Sequence, residues 1–315
     1  MSAAEPLIGE KILVTGPAGQ IAFPLAERLA RDNEVWGIAR FGHPDARERV
    51  GKAGIRTRTV DLVAPEWGDL PSDFTILLHL AAAIHPKLDD DQAMRVNAEG
   101  TGRLMSRFRN VRACLVMSTR SVYDSPEDPH HAIVESDPLG GDEPTPFSPT
   151  YRVSKLGQEA VARFAAEEFG LPTTIARMAQ AYGNNGGLPA MLLDALLAGR
   201  PIPVTARGPA IFSPIHEDDI FDHLPGLVAA ASVPATITNW AGDEPVDKRE
   251  LCQYMGRLVG REVVFVESDD ASLSSPADPT RRRALAGPCR VSWRDGIRRM
   301  IEARHTELSP TDDAE

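Results

Sequence analysis

The sequence has few cysteines, few aromatic residues and no long apolar run. Its three cysteines, Cys114, Cys252 and Cys289, are spread over 315 residues. Their separations match no metal-ligand spacing, and three thiols cannot all pair. We therefore expect structural cysteines, no metal site and a reducing, cytoplasmic environment. No apolar run could span a bilayer, and the N-terminal "MSAAEPLIGEK" lacks the pattern of a secretion signal.

Positive charge is also scarce. The formal net charge is −11, from 34 Lys and Arg against 45 Asp and Glu. Nucleic acids and anionic lipid surfaces repel such a chain, unless a local basic patch opposes the overall charge. We therefore expect neither nucleic acid nor a membrane as a partner.

Short apolar runs alternate with helical patterns in the first half of the chain. Such alternation predicts an α/β fold with a doubly wound, Rossmann-like parallel sheet covered by helices on both faces. The pattern becomes irregular after Gly183. We therefore predict a first domain over 1–183, a smaller C-terminal α/β lobe over 184–305 that can return a strand to the main sheet, and a disordered tail over 306–315. The predicted strands are "KILVTG", "EVWGIAR", "IRTRTVDL", "TILLHLAA", "ACLVMST" and "PTTIARMAQAYG".

The turn "VTGPAGQIA" joins the first strand to the first helix. Gly16 and Gly19 allow a tight turn and close approach of the backbone to a ligand. The N–H groups and the positive end of the helix that follows can bind the pyrophosphate of a dinucleotide. The spacing differs from the G-x-G-x-x-G pattern of the general dinucleotide fold, so an ordinary strand-to-helix turn is the alternative.

A second pattern, "YRVSK", places Tyr151 and Lys155 four residues apart on a predicted helix. Residues at this spacing share a helix face. An ammonium group beside a phenol favours the phenolate, which otherwise forms only near pH 10. Tyr151 would then be able to exchange a proton with a hydroxyl or ketone of a substrate. The alternative is a packed tyrosine and a solvated lysine.

Several segments, in the expected order from about residue 10 to 302, resemble the extended short-chain dehydrogenase/reductases, the NAD-dependent epimerase/dehydratase family. The resemblance implies that 1–183 binds the dinucleotide and that 184–305 binds the substrate. The segments are the glycine turn, "VDL" with Asp61, "HLAA" at 79–82, "VNAEGTGRLM" with Asn97, "MSTRSVYD", "YRVSK" and "IHEDDI" at 215–220.

The resemblance also implies a set of site residues. Thr119 aligns with the catalytic Ser or Thr of the family, although Ser118 competes for this role. The implied catalytic residues are Thr119, Tyr151 and Lys155. The implied cofactor-binding residues are Gly16, Gly19, Gln20, Ile21, Arg40, Asp61, Leu62, Leu80, Ala81, Ala82, Asn97 and Lys155. The expected substrate-side residues are Ser118, Arg120, Phe212 and His216.

The end of the second strand, "GIARFG", favours NADP over NAD. Arg40 stands where NAD-specific folds usually carry Asp or Glu for the ribose hydroxyls. A guanidinium suits a 2′-phosphate instead. A surface arginine without a role is the alternative, and NAD then remains possible.

Three departures from the family pattern bear on the substrate. Arg120 and Ser121 follow Thr119, where the dehydratases of the family carry Asp-Glu, which disfavours sugar-nucleotide dehydration. Phe212 stands where its nucleotide-sugar enzymes commonly carry an arginine for the diphosphate. Asp124 replaces a glycine and changes the loop that follows.

We therefore expect an NAD(P)-dependent epimerase or reductase/dehydrogenase. It would move hydride between nicotinamide and a carbinol or ketone carbon of a sugar-like or polyhydroxylated small molecule. Two alternatives stay open: a reductase of a more apolar ketone, of steroid or flavonoid type, and a non-catalytic NADP-sensing protein. The resemblance also implies a homodimer formed through helices near 92–108 and 154–168.

Overall fold

The computed structural model describes residues 4–141, 148–269, 271 and 273–308 of the chain. Strands and helices alternate over the first part and become shorter and less regular after residue 183. The strands are β1 (Lys11–Thr15), β2 (Glu34–Ala39), β3 (Arg56–Thr59), β4 (Ile76–His79), β5 (Ala113–Thr119), β6 (Thr173–Met178), β7 (Ala181–Gly183), β8 (Gly186–Gly187), β9 (Ile202–Val204), β10 (Ile211–Phe212), β11 (Ile215–His216), β12 (Thr236–Trp240), β13 (Val246–Asp247) and β14 (Phe265–Glu267).

The helices cover both faces of the sheet and form most of the lobe. The α-helices are α1 (Ala22–Leu29), α2 (Pro44–Lys52), α3 (Asp90–Met94), α4 (Gly100–Arg107), α5 (Tyr151–Glu168), α6 (Leu188–Leu197), α7 (Glu217–Ala229), α8 (Lys248–Leu258), α9 (Thr280–Ala286) and α10 (Trp293–Arg304). No helix among the described residues is both long and apolar enough to cross a membrane.

A seven-stranded sheet in the order β12-β6-β5-β4-β1-β2-β3 forms the centre of the molecule. Every neighbouring pair in it is parallel. All four residues of β4 and six of the seven in β5 are buried, because helices cover both faces. The predicted Rossmann-like α/β fold is therefore confirmed. The order reverses between β1 and β4, where doubly wound sheets bind ligands.

The second half of the chain contributes to this sheet as well as to the lobe. Strand β12 pairs with β6 in parallel. The lobe has its own apolar core, formed mainly by α6, α8 and α10 around Leu193, Met255 and Ile297, each fully buried. The domain boundary at 183/184 stays a prediction, and most of the predicted tail, 309–315, lies outside the described residues.

Three predicted elements differ from the structure. The helix predicted over 93–108 is interrupted by a π-helical turn at Arg95–Glu99. The strand predicted over 172–183 divides into β6 and β7, and the backbone carbonyl of Gln180 between them accepts the N–H of Ile215 at 3.0 Å. The basic segment "RRRALAG", whose sequence predicts either a surface turn or a phosphate contact, is helix α9, and its Arg282 is completely buried against Asp243.

Candidate active site

A cleft of about 1,390 Å³ opens at the carboxyl ends of the sheet strands, between the sheet and the lobe. One end is lined by the glycine turn and the ends of β2 and β4, and the other by α6, Phe212 and the segment around Ser274. The size suits a dinucleotide together with a second ligand of similar length. Most of the predicted cofactor residues line it: Gly16, Gly19, Gln20, Ile21, Arg40, Asp61, Leu62, Leu80, Ala81 and Ala82.

The glycine turn has the shape of a phosphate cradle. Gly16 has a φ of 66°, and a Cβ there would lie 3.1 Å from the Cα of Ala81. A Cβ on Gly19 would lie 3.1 Å from the carbonyl oxygen of Gly16. The α1 helix begins after Ile21 with no side-chain cap and no acidic residue in its first turn. No capping side chain or acidic residue therefore competes with an anion at this end of the helix, and the turn fits a pyrophosphate.

Thr15 fixes the opposite wall of this cradle. Its hydroxyl oxygen accepts N–H groups from Leu80 at 3.0 Å and Ala81 at 2.9 Å. The same oxygen lies 2.8 Å from Nδ1 of the buried His79. The backbone after β4 is therefore held against the glycine turn by a hydroxyl that the sequence analysis did not single out.

Arg40 and Asp61 lie at the outer end of the cleft. Both are exposed, so a ligand can reach either side chain. Phe41, which follows Arg40, has a φ of 48°, an unfavourable conformation for a residue other than glycine. Such strain is often found where a turn is shaped for a ligand.

Thr119 and Tyr151 meet on the wall of the cleft. Thr119 ends β5 and Tyr151 begins α5, and the side chains hydrogen-bond to each other. Burial raises the pKa of Tyr151 to about 12, and the hydrogen bond with Thr119 opposes this only in part. The expected easily ionised phenol is therefore absent from the protein alone, because desolvation outweighs the other influences on the ring.

Lys155 lies beneath Tyr151 and not on the surface of the cleft. Its Nζ is 5.9 Å from the centre of the Tyr151 ring and donates to the carbonyl of Met117 at 2.7 Å and to the amide oxygen of Gln158. Burial lowers the pKa of Lys155 to about 7, and the nearby carboxylate of Glu159 acts in the opposite direction. Nζ thus uses two of its three N–H donors within the fold, and Lys155 is not among the residues that line the cleft.

Three other predicted site residues have side chains that are bound within the fold. Ser118 borders the cleft, but its hydroxyl donates to Glu159 of α5 at 2.6 Å. Asn97 is buried and binds the backbone of Ala83, so it shapes the cleft from behind. His216 is buried against Tyr182 and caps α7 through Nδ1. For these three, packing inside the fold replaces the predicted ligand contact.

The cleft also contains residues that were not predicted. Lys248 and Ser274 line it, together with the predicted Arg120 and Phe212. Pairing of β10 with β13 places Phe212 opposite Val246, two residues before Lys248. This antiparallel pair brings Lys248 close to Phe212, the position at which nucleotide-sugar enzymes of the resembled family commonly carry an arginine. No local sequence signal marks Lys248, since the contact depends on lobe topology.

Asp219, His223 and Cys289 place potential metal-ligand atoms within 4.8 Å of one another. The carboxylate of Asp219 already accepts backbone N–H groups from Arg290 and Val291. The guanidinium of Arg282 contacts both His223 and Cys289. The positive charge of Arg282 would repel a metal cation between these three side chains. We therefore interpret the cluster as side chains packed within the fold.

The sequence model of the NAD-dependent epimerase/dehydratase family matches residues 12–232. The chain belongs to this family, which confirms the resemblance seen in the sequence and the expectation of an NAD(P)-dependent enzyme.

Individual relatives agree with the family assignment. UDP-glucose 4-epimerase of Mycolicibacterium smegmatis is 29% identical over 93% of this chain and 97% of its own length. The trifunctional UDP-glucose 4,6-dehydratase/UDP-4-keto-6-deoxy-D-glucose 3,5-epimerase/UDP-4-keto-L-rhamnose-reductase RHM2 of Arabidopsis thaliana is 22% identical over 93% of this chain, which spans only 47% of that protein.

A solved structure shares the fold. UDP-glucuronic acid 4-epimerase of Bacillus cereus, in complex with UDP-glucuronic acid and NAD, superimposes with a TM-score of 0.78 at 19% identity, over 94% of this chain and 99% of that one.

Proposed function

We propose that the protein moves hydride between a nicotinamide cofactor and a ring carbon of a nucleoside diphosphate sugar, with net epimerisation of that carbon. The observation that carries the proposal is the meeting of Thr119 and Tyr151 in the same cleft as the uncapped glycine turn. A hydroxyl donor and a phenol beside a dinucleotide cradle are the groups that carbinol oxidation requires.

Each protein group has a defined task in this proposal. Thr119 hydrogen-bonds the reacting sugar oxygen, and Tyr151 takes its proton or returns it. When bound, the oxidised nicotinamide supplies the hydride acceptor and a positive charge that lowers the pKa of a neighbouring phenol. Lys155, buried below the ring, adds a second positive charge when it is protonated.

Epimerisation fits the cleft better than dehydration does. Water loss from a keto sugar is helped by an acid and a base placed after the catalytic Thr. Arg120 and Ser121 occupy those positions and both line the cleft. Neither side chain is a carboxylic acid, so an oxidation followed by re-reduction on the other face is the simpler outcome.

The position of Lys248 favours a substrate that contains a diphosphate. It lies near Phe212 in the cleft, and burial lowers its pKa from the ordinary value. Its Nζ donates to the carbonyl of Pro203 at 2.5 Å, which leaves two N–H donors for a ligand. A pocket with the cation of Lys248 in its wall suits the diphosphate of a sugar nucleotide better than an apolar ketone.

NADP is the cofactor that we propose for this site. Arg40 is exposed at the end of β2 and lines the cleft, where its guanidinium can reach a 2′-phosphate.

We also propose a cytoplasmic homodimer. Val153 and Phe164 on α5 are 53% and 63% exposed, and a second copy packed on this helix would cover them.

The test is direct assay of hydride transfer with UDP-glucose and UDP-galactose. The purified protein, supplied with NADP⁺ or NAD⁺, is expected to interconvert the two sugars or to accumulate reduced cofactor, detected by proton NMR and by cofactor fluorescence. Tight cofactor binding with no hydride transfer to any nucleotide sugar would instead support a sensing role and overturn the proposal.

A further inference from the structure

Arg120 is a half-buried cation at an unusual position. It follows Thr119 directly and begins the 3₁₀ turn Arg120–Val122 at the carboxyl end of β5. Its side chain lines the substrate half of the cleft. The guanidinium is therefore close to the place where the reacting sugar oxygen must lie between Thr119 and Tyr151.

The guanidinium has few partners within the chain. Nη1 donates to the hydroxyl of Ser274 at 3.0 Å, and Nε is buried without a hydrogen-bond acceptor. No ion pair joins Arg120 to any carboxylate of residues 4–141, 148–269, 271 or 273–308. Burial lowers the pKa of Arg120 to about 10, and the nearby Arg152 lowers it further while Tyr123 opposes the change.

Three arginines that are more deeply buried than Arg120 have partners for their guanidinium groups. Arg177 is held by both oxygens of Glu159, and Arg282 pairs with Asp243. Arg152, which shares the cleft with Arg120, donates to the carbonyls of Ser121 at 2.8 Å and Gly141 at 2.5 Å. A buried charge without a partner costs free energy. Arg120 thus has donors to spare at the position where a ligand binds.

Ser274 is itself held in place for this contact. It is 6% exposed, its backbone forms a bridge with Ala210, and its carbonyl accepts the N–H of Ile211 at 2.6 Å. A planar guanidinium and an adjacent hydroxyl together match the two oxygens of a carboxylate. Arg120 follows a strand of the sheet and Ser274 belongs to the lobe, so folding of the chain brings the pair together.

We propose that Arg120 and Ser274 bind a carboxylate on the sugar ring, so that the substrate is a nucleoside diphosphate hexuronate. In a hexuronate the carboxylate is attached to C5, beside the C4 carbon that a 4-epimerase oxidises. Arg120 directly follows Thr119, so its guanidinium is placed to bind a carboxylate on the carbon next to the one that is oxidised. This inference rests on the proposed function and specifies the substrate class for the same site.

The experiment compares UDP-glucuronate with UDP-glucose, which differ only in the group on C5. Wild-type protein is expected to favour the uronate in kcat/KM and in affinity measured by calorimetry. Arg120→Met is expected to lower kcat/KM for the uronate about 10- to 100-fold and that for UDP-glucose by less than about threefold, because a charge-assisted hydrogen bond is lost only with the uronate. Arg120→Lys should recover part of the loss.

The matched control is Arg109→Met, which removes an exposed guanidinium after α4, at the opposite edge of the sheet. It should leave the ratio between the two sugars unchanged. The ratio of kcat/KM for the two sugars in the wild type is measured without any variant. It therefore tests the carboxylate assignment even if the Arg120→Met protein folds poorly.

Equal use of the two sugars by the wild type, or an equal loss on both in Arg120→Met, would overturn the carboxylate assignment and leave the epimerase proposal standing. Failure to bind or turn over either sugar would instead count against the proposed function itself.

Discussion

Replacement of Arg177 by methionine should destabilise the fold strongly, because this side chain fixes helix α5 to the sheet. Arg177 on β6 donates from Nε and Nη2 to the two carboxylate oxygens of Glu159 on α5, at 2.9 and 2.8 Å. The two side chains are 0% and 3% exposed. Without Arg177, the partners that the carboxylate keeps among the described residues are Ser118 at 2.6 Å and Arg163 at 3.6 Å. Loss of one partner of a buried pair costs about 3–5 kcal/mol.

Urea unfolding at neutral pH is the assay. Arg177→Met should lose about 3–5 kcal/mol of the free energy of unfolding, and Arg177→Met with Glu159→Met should recover much of it, since no buried charge is left unpaired. The control, Arg163→Met, removes a half-exposed partner of the same carboxylate and should cost less than about 1 kcal/mol.

The pH dependence of this deficit gives a second, independent check. Burial alone would raise the pKa of Glu159, but hydrogen bonds and charge from Arg177 hold it below its ordinary 4.5 in the folded protein. The pair thus stabilises the fold above that value, and the contribution is lost as pH falls through the folded pKa. In Arg177→Met the pKa of Glu159 should rise above 4.5. The loss in free energy of unfolding relative to the wild type should therefore become smaller as the pH falls from 7 to 4. A deficit under 1 kcal/mol, or one independent of pH, would refute this reasoning.

Three further changes test separate parts of the site. Asn97→Ala removes three hydrogen bonds, to Ala83 at 2.7 and 3.1 Å and to Ser154 at 2.9 Å; thermal and urea unfolding should report a loss of about 2–4 kcal/mol, and a loss under about 0.5 kcal/mol would contradict its structural role. Lys155 has a folded pKa of about 7 against an ordinary 10.5, so the unfolded state binds more protons and stability should rise from pH 7 to pH 10; this rise should be absent in Lys155→Met, and its persistence there would assign it to another group. Arg40→Asp should weaken NADPH binding about 10-fold or more with little effect on NADH, as read by cofactor fluorescence, and equal effects on both cofactors would exclude a 2′-phosphate contact.

Much of the fold follows from local sequence patterns. Buried strands such as β4 and β5 appear as continuous apolar runs because helices cover both faces of the sheet. The glycine turn is recognisable because Gly16 needs a positive φ and a close approach to Ala81. The π turn at Arg95–Glu99 could not be predicted in this way, since it arises where Asn97 must reach the backbone after β4.

The sequence predicts which residues border the cleft better than it predicts the contacts of their side chains. Tyr151 and Lys155 lie on one helix face, as their spacing requires, but the surroundings of Nζ depend on Met117 of the sheet and on Gln158. Lys248 and Ser274 come from the lobe, where a short antiparallel pair and an isolated bridge decide what faces the cleft. Such contacts depend on tertiary topology and have no local signature in the sequence.

The central claim is that the hydroxyl of Tyr151 transfers a proton while hydride leaves or enters the sugar. The most direct measurement is the single-turnover rate of cofactor reduction by a nucleotide sugar in Tyr151→Phe, with folding and cofactor affinity checked separately. We predict a decrease of about 10²- to 10⁴-fold at unchanged cofactor affinity. A rate within about twofold of the wild type would contradict the account.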